Sequence, residues 1–155
     1  MARDDSLRRG GGWVAGQVVL LGIFAVIAPY TRALAPSLLT KGIATAVMAA
    51  GILVAVWAAL RLGRSLTPFP KPVAEGRLCR EGPYRWVRHP IYGAVLLLAI
   101  GWAAWWQSVI AAALVPVIFL FFALKARAEE RWLTAAYPDY PEYAKQVKAL
   151  VPFIY

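Results

Sequence analysis

Long apolar runs alternate with short basic segments along this chain, and the alternation predicts helices of membrane-spanning length. From Trp13 to Tyr30 the run is apolar except for Gln17. Its 18 residues rise about 27 Å as a helix, close to the roughly 30 Å hydrocarbon thickness of a bilayer. Ala33-Leu34-Ala35 resembles a signal cleavage site, but Pro36 follows directly and the apolar run is long, so an uncleaved span is the better reading. Residues 31–41 read as a loop. Gly42 to Leu60 is the second run, dotted with Gly, Ala and Thr residues that let helices approach closely in lipid. Ile91–Trp106 and Val109–Leu124 are the third and fourth. Only Gln107 and Ser108 separate them, which predicts a tight helical hairpin anchored at the far interface by Trp102, Trp105 and Trp106. Pro116 is a candidate bend in the fourth helix.

The segments between these runs are polar and broken. Residues 1–12 read as a short cytoplasmic tail. Thr67-Pro68-Phe69-Pro70-Lys71-Pro72 excludes a regular helix, because three prolines remove donors and restrict their neighbours. Glu75 to Tyr84 reads as turn, short extended piece and turn. Lys125 to Ala136 continues the fourth helix into water until Pro138 stops it. Asp139-Tyr140-Pro141-Glu142 then has capping-box spacing and predicts a last short helix through Lys148. An apolar, aromatic end closes the chain, Val151 to Tyr155. The expected fold is therefore all-α and integral to the membrane: one domain over residues 1–155, four transmembrane helices (about 13–30, 42–60, 91–106 and 109–124), a C-terminal helical hairpin and a cofactor pocket on the cytoplasmic side.

Composition agrees. Hydrophobic residues make up 61% and charged residues 16%, whereas a soluble domain is nearer half and a quarter. The net charge of +9 would suggest nucleic acid in a soluble chain, but beside these apolar runs it points to anionic headgroups, with no nucleic-acid partner. Four spans put 15 of the 17 Lys and Arg residues on one side, and only Arg32 and Lys41 on the other. The positive-inside rule makes the richer side, with both termini, cytoplasmic. All eight acidic residues fall there too, so the chemistry is expected on that face. Cys79 is the single cysteine, which excludes an internal disulfide; with one histidine it cannot form a zinc cluster either.

The chemistry concentrates in Gly82-Pro83-Tyr84-Arg85-Trp86-Val87-Arg88-His89-Pro90-Ile91-Tyr92-Gly93, which holds the only histidine. Pro90 biases His89 away from helix and suits the first turn of the helix that follows. The amides of that helix start, with Arg85 and Arg88 beside them, would favour an anionic group. Tyr84 and Tyr92 offer faces to a cation. Glu129 and Glu130 sit just beyond the fourth run. Adjacent helical residues point about 100° apart, so the two carboxylates are expected to face different partners. Glu129 shares a face with Lys125, and a carboxylate just beyond a span marks a polar pocket. No Ser-His-Asp set and no glycine-rich phosphate loop is present, which argues against hydrolases, nucleoside triphosphatases and soluble-type dehydrogenases.

The Gly-Pro-Tyr-Arg-Trp-Val-Arg-His-Pro-Ile-Tyr-Gly stretch, an apolar hairpin, Glu-Glu-Arg-Trp-Leu and Tyr-Pro-Asp-Tyr-Pro-Glu-Tyr-Ala together resemble the integral-membrane methyltransferases of the isoprenylcysteine carboxyl and phospholipid methyltransferase group. The likeness covers about residues 75–153. It implies S-adenosyl-L-methionine as methyl donor, with S-adenosyl-L-homocysteine as product, and a hydrophobic or lipidated acceptor taken from the bilayer. Carried over by motif, the donor site is Gly76, Arg77, Leu78, Cys79, Tyr84, His89, Pro90, Ile91, Tyr92 and Glu129, with Arg88 or the helix start facing the methionine carboxylate. Glu129, Glu130 and Arg127 are the implied catalytic residues. The family's substrate-side arginine falls near Lys125 or Arg127, and a lysine there departs from the pattern, since it lacks the fork that suits a carboxylate. Membrane sterol reductases, which use NADPH, carry a similar Arg-His-Pro-x-Tyr-like segment and a closing Pro-x-Ile-Tyr. The Glu129-Glu130 pair and the small size favour the methyltransferase. A non-enzymatic four-helix scaffold is the other alternative, and it leaves the clustered His, Tyr and Glu unexplained.

Overall fold

A computed structural model describes residues 10–73 and 76–150. The expected tail before Gly10, Glu75 of the expected turn and the closing Val151–Tyr155 lie outside the described residues. Within them the elements are α1 (Gly11–Tyr30), α2 (Leu38–Leu62), α3 (Pro90–Trp106), α4 (Val109–Ala136) and α5 (Tyr140–Gln146), with 3-10 turns at Gly63–Ser65 and Gly82–Arg85. Among the described residues three helices are long and apolar enough to cross a membrane: α1, α2 with its 3-10 extension, and α4. α3 is apolar but has 17 residues. Val18, Val19, Ile23, Leu39, Ile43 and Leu53 are among the large apolar side chains left exposed on α1 and α2. Such faces suit hydrocarbon rather than water, and the chain is built as an integral membrane protein.

Capping residues set the boundaries, and several differ from the sequence expectation. Gly10 adopts a left-handed conformation (φ 86°) ahead of α1, so Gly11 and Gly12 belong to the helix rather than to a tail. α2 starts at Leu38, not Gly42, because the Ser37 hydroxyl accepts the Thr40 amide at 3.1 Å. The polar Thr40 and Lys41 concealed that start. Ser108 caps α4 the same way, accepting the Ala111 amide at 3.0 Å. Gln107, left-handed at φ 50°, makes the two-residue hairpin turn. The expected capping box at Asp139 does not form. Arg80 holds that carboxylate instead, at 3.4 Å, while Glu142 turns to Lys145. α5 ends at Gln146, and Lys148 lies in an extended segment paired in parallel with Val87.

α3 sits at the centre, antiparallel to α2 and in contact with α1 and α4. The core draws Phe24 and Ala28 from α1, Leu96, Ala99 and Ala103 from α3, and Ala111, Ile118 and Phe122 from α4. Small residues bring α2 and α3 together. A Cβ at Gly101 would meet the Met48 side chain and lie 2.9 Å from the Ala44 carbonyl; one at Gly51 would lie 3.0 Å from the Ala94 carbonyl. Gly101→Val is therefore expected to cost about 1–3 kcal/mol through overpacking. Gly22, with nothing within 4 Å of its would-be Cβ, is the matched control. Thermal unfolding of both valine variants in detergent checks this, and equal midpoints would rule out the close approach.

At the far end the loops tie together. The Thr31 and Ser108 hydroxyls lie 2.6 Å apart, and the Ala33 amide donates to the Gln107 carbonyl at 3.1 Å. Trp102 donates to the Ala25 carbonyl, and Lys41 lies over the Trp105 ring. This leaves the opposite end, where α2 and α4 finish and α3 begins, to hold the polar residues.

Candidate functional site

The site is built where the Gly82–Arg85 turn, the start of α3 and the end of α4 converge. Gly82 (φ 59°) lets the chain turn against α2, where any side chain would strike Arg61 and Trp57. Pro90 opens α3 and holds His89 just outside it. The amides of Arg88 and His89 donate to the Lys148 and Ala149 carbonyls at 2.8 and 3.0 Å. The Arg88 guanidinium donates to the carbonyls of Ala144 and Val147, closing off the end of α5. Tyr143 donates to the Tyr84 carbonyl at 2.6 Å. The segment after α4 is thereby locked onto the histidine corner.

His89 is 6% exposed and held from two sides. Its Nε2 lies 3.1 Å from Glu130 Oε1 and its Nδ1 3.7 Å from Glu129 Oε2. Arg88 Nε donates to the same Glu130 oxygen at 2.8 Å. Tyr92 donates to Glu129 Oε2 at 2.6 Å and stacks on His89, with ring planes 5° apart. The two glutamates were expected to face different partners. They do open onto different cavities, but the imidazole is wide enough to touch both.

The larger cavity, about 410 Å³, is lined by Glu129, His89, Tyr92, Tyr84 and Ile91 on one side and by Arg77, Leu78 and Cys79 on another. Lys125 and Arg88 also line it. Gln17, Tyr137, Tyr140 and Tyr143 contribute as well, and the sequence reading named none of them as site residues. Gln17 carried a signal, being the lone polar side chain in an apolar run; the tyrosines arrive through tertiary packing. Lys125 is 1% exposed. It donates to Gln17 Oε1 at 2.5 Å and to the Pro68 carbonyl at 3.2 Å, and its ammonium lies over the Tyr92 ring. It thus ties α1 and the proline-rich segment over the cavity. Burial pushes the Tyr84 and Tyr140 hydroxyls above the usual tyrosine range, so both stay neutral donors. Among the described residues the buried Tyr140 hydroxyl has no hydrogen-bond partner.

Four expected site residues lie off this cavity. Gly76 backs onto Tyr137, whose hydroxyl lies 2.8 Å from where a Cβ would stand, and Pro90 is buried as the first residue of α3. Arg127 and Glu130 line a second cavity with Arg88, because they lie on the other face of α4. The Arg88 guanidinium is committed to Glu130 and two carbonyls, which removes it as an anion receptor in the larger cavity. The helix start is also largely taken: the Tyr92 and Gly93 amides both donate to the His89 carbonyl. Among the described residues no cluster of His, Cys, Asp and Glu is arranged to hold a metal ion.

Residues 39–140 match the phospholipid methyltransferase family. The chain belongs to that family. Among curated relatives, it is 35% identical over 101 residues to protein-S-isoprenylcysteine O-methyltransferase B of Arabidopsis thaliana, covering 63% of this chain and 51% of that protein. It is 31% identical over 147 residues to the cobalt-zinc-cadmium resistance protein CzcN of Cupriavidus metallidurans, covering 94% of this chain and 54% of that protein. The nickel-cobalt-cadmium resistance protein NccN of Alcaligenes xylosoxydans xylosoxydans is 29% identical over 99 residues, 63% of this chain and 42% of its own. The chain spans about half the length of the curated relatives it matches. This phospholipid methyltransferase family member carries both the His89 corner and the paired glutamates of α4, and both lie wholly inside the matched region.

Proposed function

We propose that the protein transfers a methyl group from S-adenosylmethionine to a hydrophobic or lipid-like acceptor at the cytoplasmic face of the membrane. The observation that carries this reading is the Glu129 carboxylate set beside the stacked His89 and Tyr92 rings, in a cavity of small-molecule size, within a chain of this family. Such clefts run from about 300 to 1,000 Å³. The residues fit the donor. A carboxylate suits a sulfonium cation, and the Tyr140 hydroxyl, without a hydrogen-bond partner among the described residues, is left to donate to a ligand. No ion pair among the described residues holds Arg77, which leaves it for a carboxylate in place of Arg88. Glu129, Tyr84, Tyr92, His89, Arg77, Leu78, Cys79 and Tyr140 are the residues that would hold the donor. When bound, it would supply an electrophilic methyl group.

The task of the protein in such a transfer is alignment. His89, held from both sides, and Tyr92, held by Glu129, form a fixed wall. Glu130 lies off the larger cavity and serves as a positioning residue, fixing Arg88 and His89. Of Lys125 and Arg127, only Lys125 lines this cavity and is placed to meet an acceptor there. A carboxylate or thiolate acceptor needs no base, whereas an amine acceptor must lose a proton, and Glu129 is the carboxylate on that cavity.

The short α3 pairs with α4 through the Gln107-Ser108 turn and would cross as the fourth span. Both termini then share the basic side with the cavity, the cytoplasmic one under the positive-inside rule. Isothermal titration of the purified protein with S-adenosylhomocysteine and with NADPH tests the reading. The expected result is saturable binding of the first and none of the second. Binding of NADPH alone would favour the reductase alternative, and binding of neither would favour a scaffold. In the same titration Tyr140→Phe is expected to weaken S-adenosylhomocysteine about 2- to 12-fold, the scale of one neutral hydrogen bond; unchanged affinity would remove Tyr140 from the site.

A further inference from the structure

The second cavity, about 320 Å³, lies on the other side of the Arg88–Glu130 pair and plays no part in the methyl-transfer reading. Arg88, Arg127, Lys145 and Lys148 bring four cations to its walls, against the single carboxylate of Glu130. Most of the acceptors around it are already engaged, Glu130 Oε2 being the carboxylate oxygen left without a hydrogen bond among the described residues. Glu130 Oε1 receives both Arg88 and His89. The carbonyls of Ala144 and Val147 receive the Arg88 guanidinium, and those of Lys148 and Ala149 receive the Arg88 and His89 amides. The donors are not all engaged: Lys145 pairs with Glu142, but the exposed Arg127 and Lys148 side chains have no ion pair or hydrogen bond among the described residues. A cavity rich in free donors and poor in free acceptors recognises an anion.

We infer that this cavity is an anion site for a phosphate group, gripped by Arg127 and Lys148 with Arg88 behind them. Arginine offers a planar fork to phosphate oxygens and lysine a point charge, the pairing that phosphate recognition commonly uses. Arg127 follows directly on the apolar part of α4, three residues beyond Leu124, so the cavity lies at the depth where that helix leaves hydrocarbon. Two sources present a phosphate there: the headgroup of an anionic lipid and the free ion. The site stands apart from the methyl-donor cavity and does not depend on it. Arg88 lines both cavities, and it and the His89–Glu130 hydrogen bond are the routes through which occupancy of one would reach the other.

The test is titration of the full chain in a neutral detergent with a soluble short-chain phosphatidylglycerol and, separately, with inorganic phosphate. Saturable binding is expected, weakened at least tenfold in the Arg127→Gln/Lys148→Gln double variant and retained when the two charges are exchanged as Arg127→Lys/Lys148→Arg. Arg85→Gln, an exposed cation off the cavity, should leave it unchanged. Binding of the lipid alone assigns the headgroup as ligand, and competition by inorganic phosphate assigns the free ion; either upholds the anion site. No saturable binding of either probe, or an equal loss in Arg85→Gln, overturns it. S-adenosylhomocysteine affinity measured in the double variant reads the other cavity, and loss of both ligands together would overturn the separation of the two sites.

Discussion

Arg88→Leu is expected to lower stability by about 3 kcal/mol and to release the segment after α5. Arg88 and Glu130 are mostly buried, their side chains 14% and 22% exposed. Removing one member of such a pair strands the other, at a cost of about 3–5 kcal/mol when burial is complete; the remaining exposure puts the effect at the low end. The stranding goes further than one carboxylate. The carbonyls of Ala144 and Val147 lose their donor at the end of α5. The backbone bonds from Arg88 and His89 and the buried Leu150 side chain then hold the last described residues. Thermal unfolding in detergent should show the lowered midpoint, and limited proteolysis should cut between Tyr140 and Leu150 faster than in the parent. A midpoint and cleavage pattern like the parent's would show that the guanidinium is not the clasp. Arg88→Lys should rescue little, because one ammonium cannot reach a carboxylate and two carbonyls with the geometry of a fork.

This clasp shows what the sequence could and could not give. Two arginines beside a histidine and a helix start read as an anion receptor, and the local signals for that were sound. They carried no information about the carbonyls at the end of α5, which come from nearly sixty residues away and consume the Arg88 donors. The same reason hides Tyr140: its position in Tyr-Pro-Asp-Tyr suggests a helix start, and only packing turns it into the larger cavity. Asp139 matched a capping pattern, but Arg80 competes for it with a full charge.

Features governed by local chemistry were legible. The hairpin at Gln107-Ser108 follows from two polar residues between apolar runs, although the left-handed turn falls on a glutamine rather than a glycine. The proline-rich break at residues 67–72 follows from missing donors. The small residues of the second run do mark a close contact, with α3. The boundary missed by four residues, at Ser37, is one where a serine cap and two leucines were outweighed by the polar Thr40 and Lys41. Helical phase turns Glu129 and Glu130 to two cavities, but both carboxylates meet His89 instead of facing different partners as expected, because the imidazole is wide enough to bridge them, which lay beyond any one-helix argument.

Glu129→Gln is expected to weaken S-adenosylmethionine by about 10- to 100-fold while weakening S-adenosylhomocysteine less. The substitution keeps the shape of the side chain and an oxygen for the Tyr92 hydroxyl, which donates at 2.6 Å. What it removes is the charge. A hydrogen bond or contact to a charged group contributes about 1.5–3 kcal/mol, and 1.4 kcal/mol is tenfold in affinity. The two ligands differ at the sulfur, which is cationic in the donor and neutral in the product, so under the proposed assignment, with Glu129 facing the sulfonium, the carboxylate discriminates between them and its amide does not. Glu130→Gln supplies the contrast. It loosens Arg88 and His89 and should lower the unfolding midpoint, yet it should preserve the preference for donor over product, because Glu130 opens onto the other cavity. Titrating both ligands into both variants separates charge recognition from general loosening of the site. If Glu130→Gln erases the preference and Glu129→Gln keeps it, the sulfonium faces the second cavity, and the assignment of the donor to the larger one is wrong.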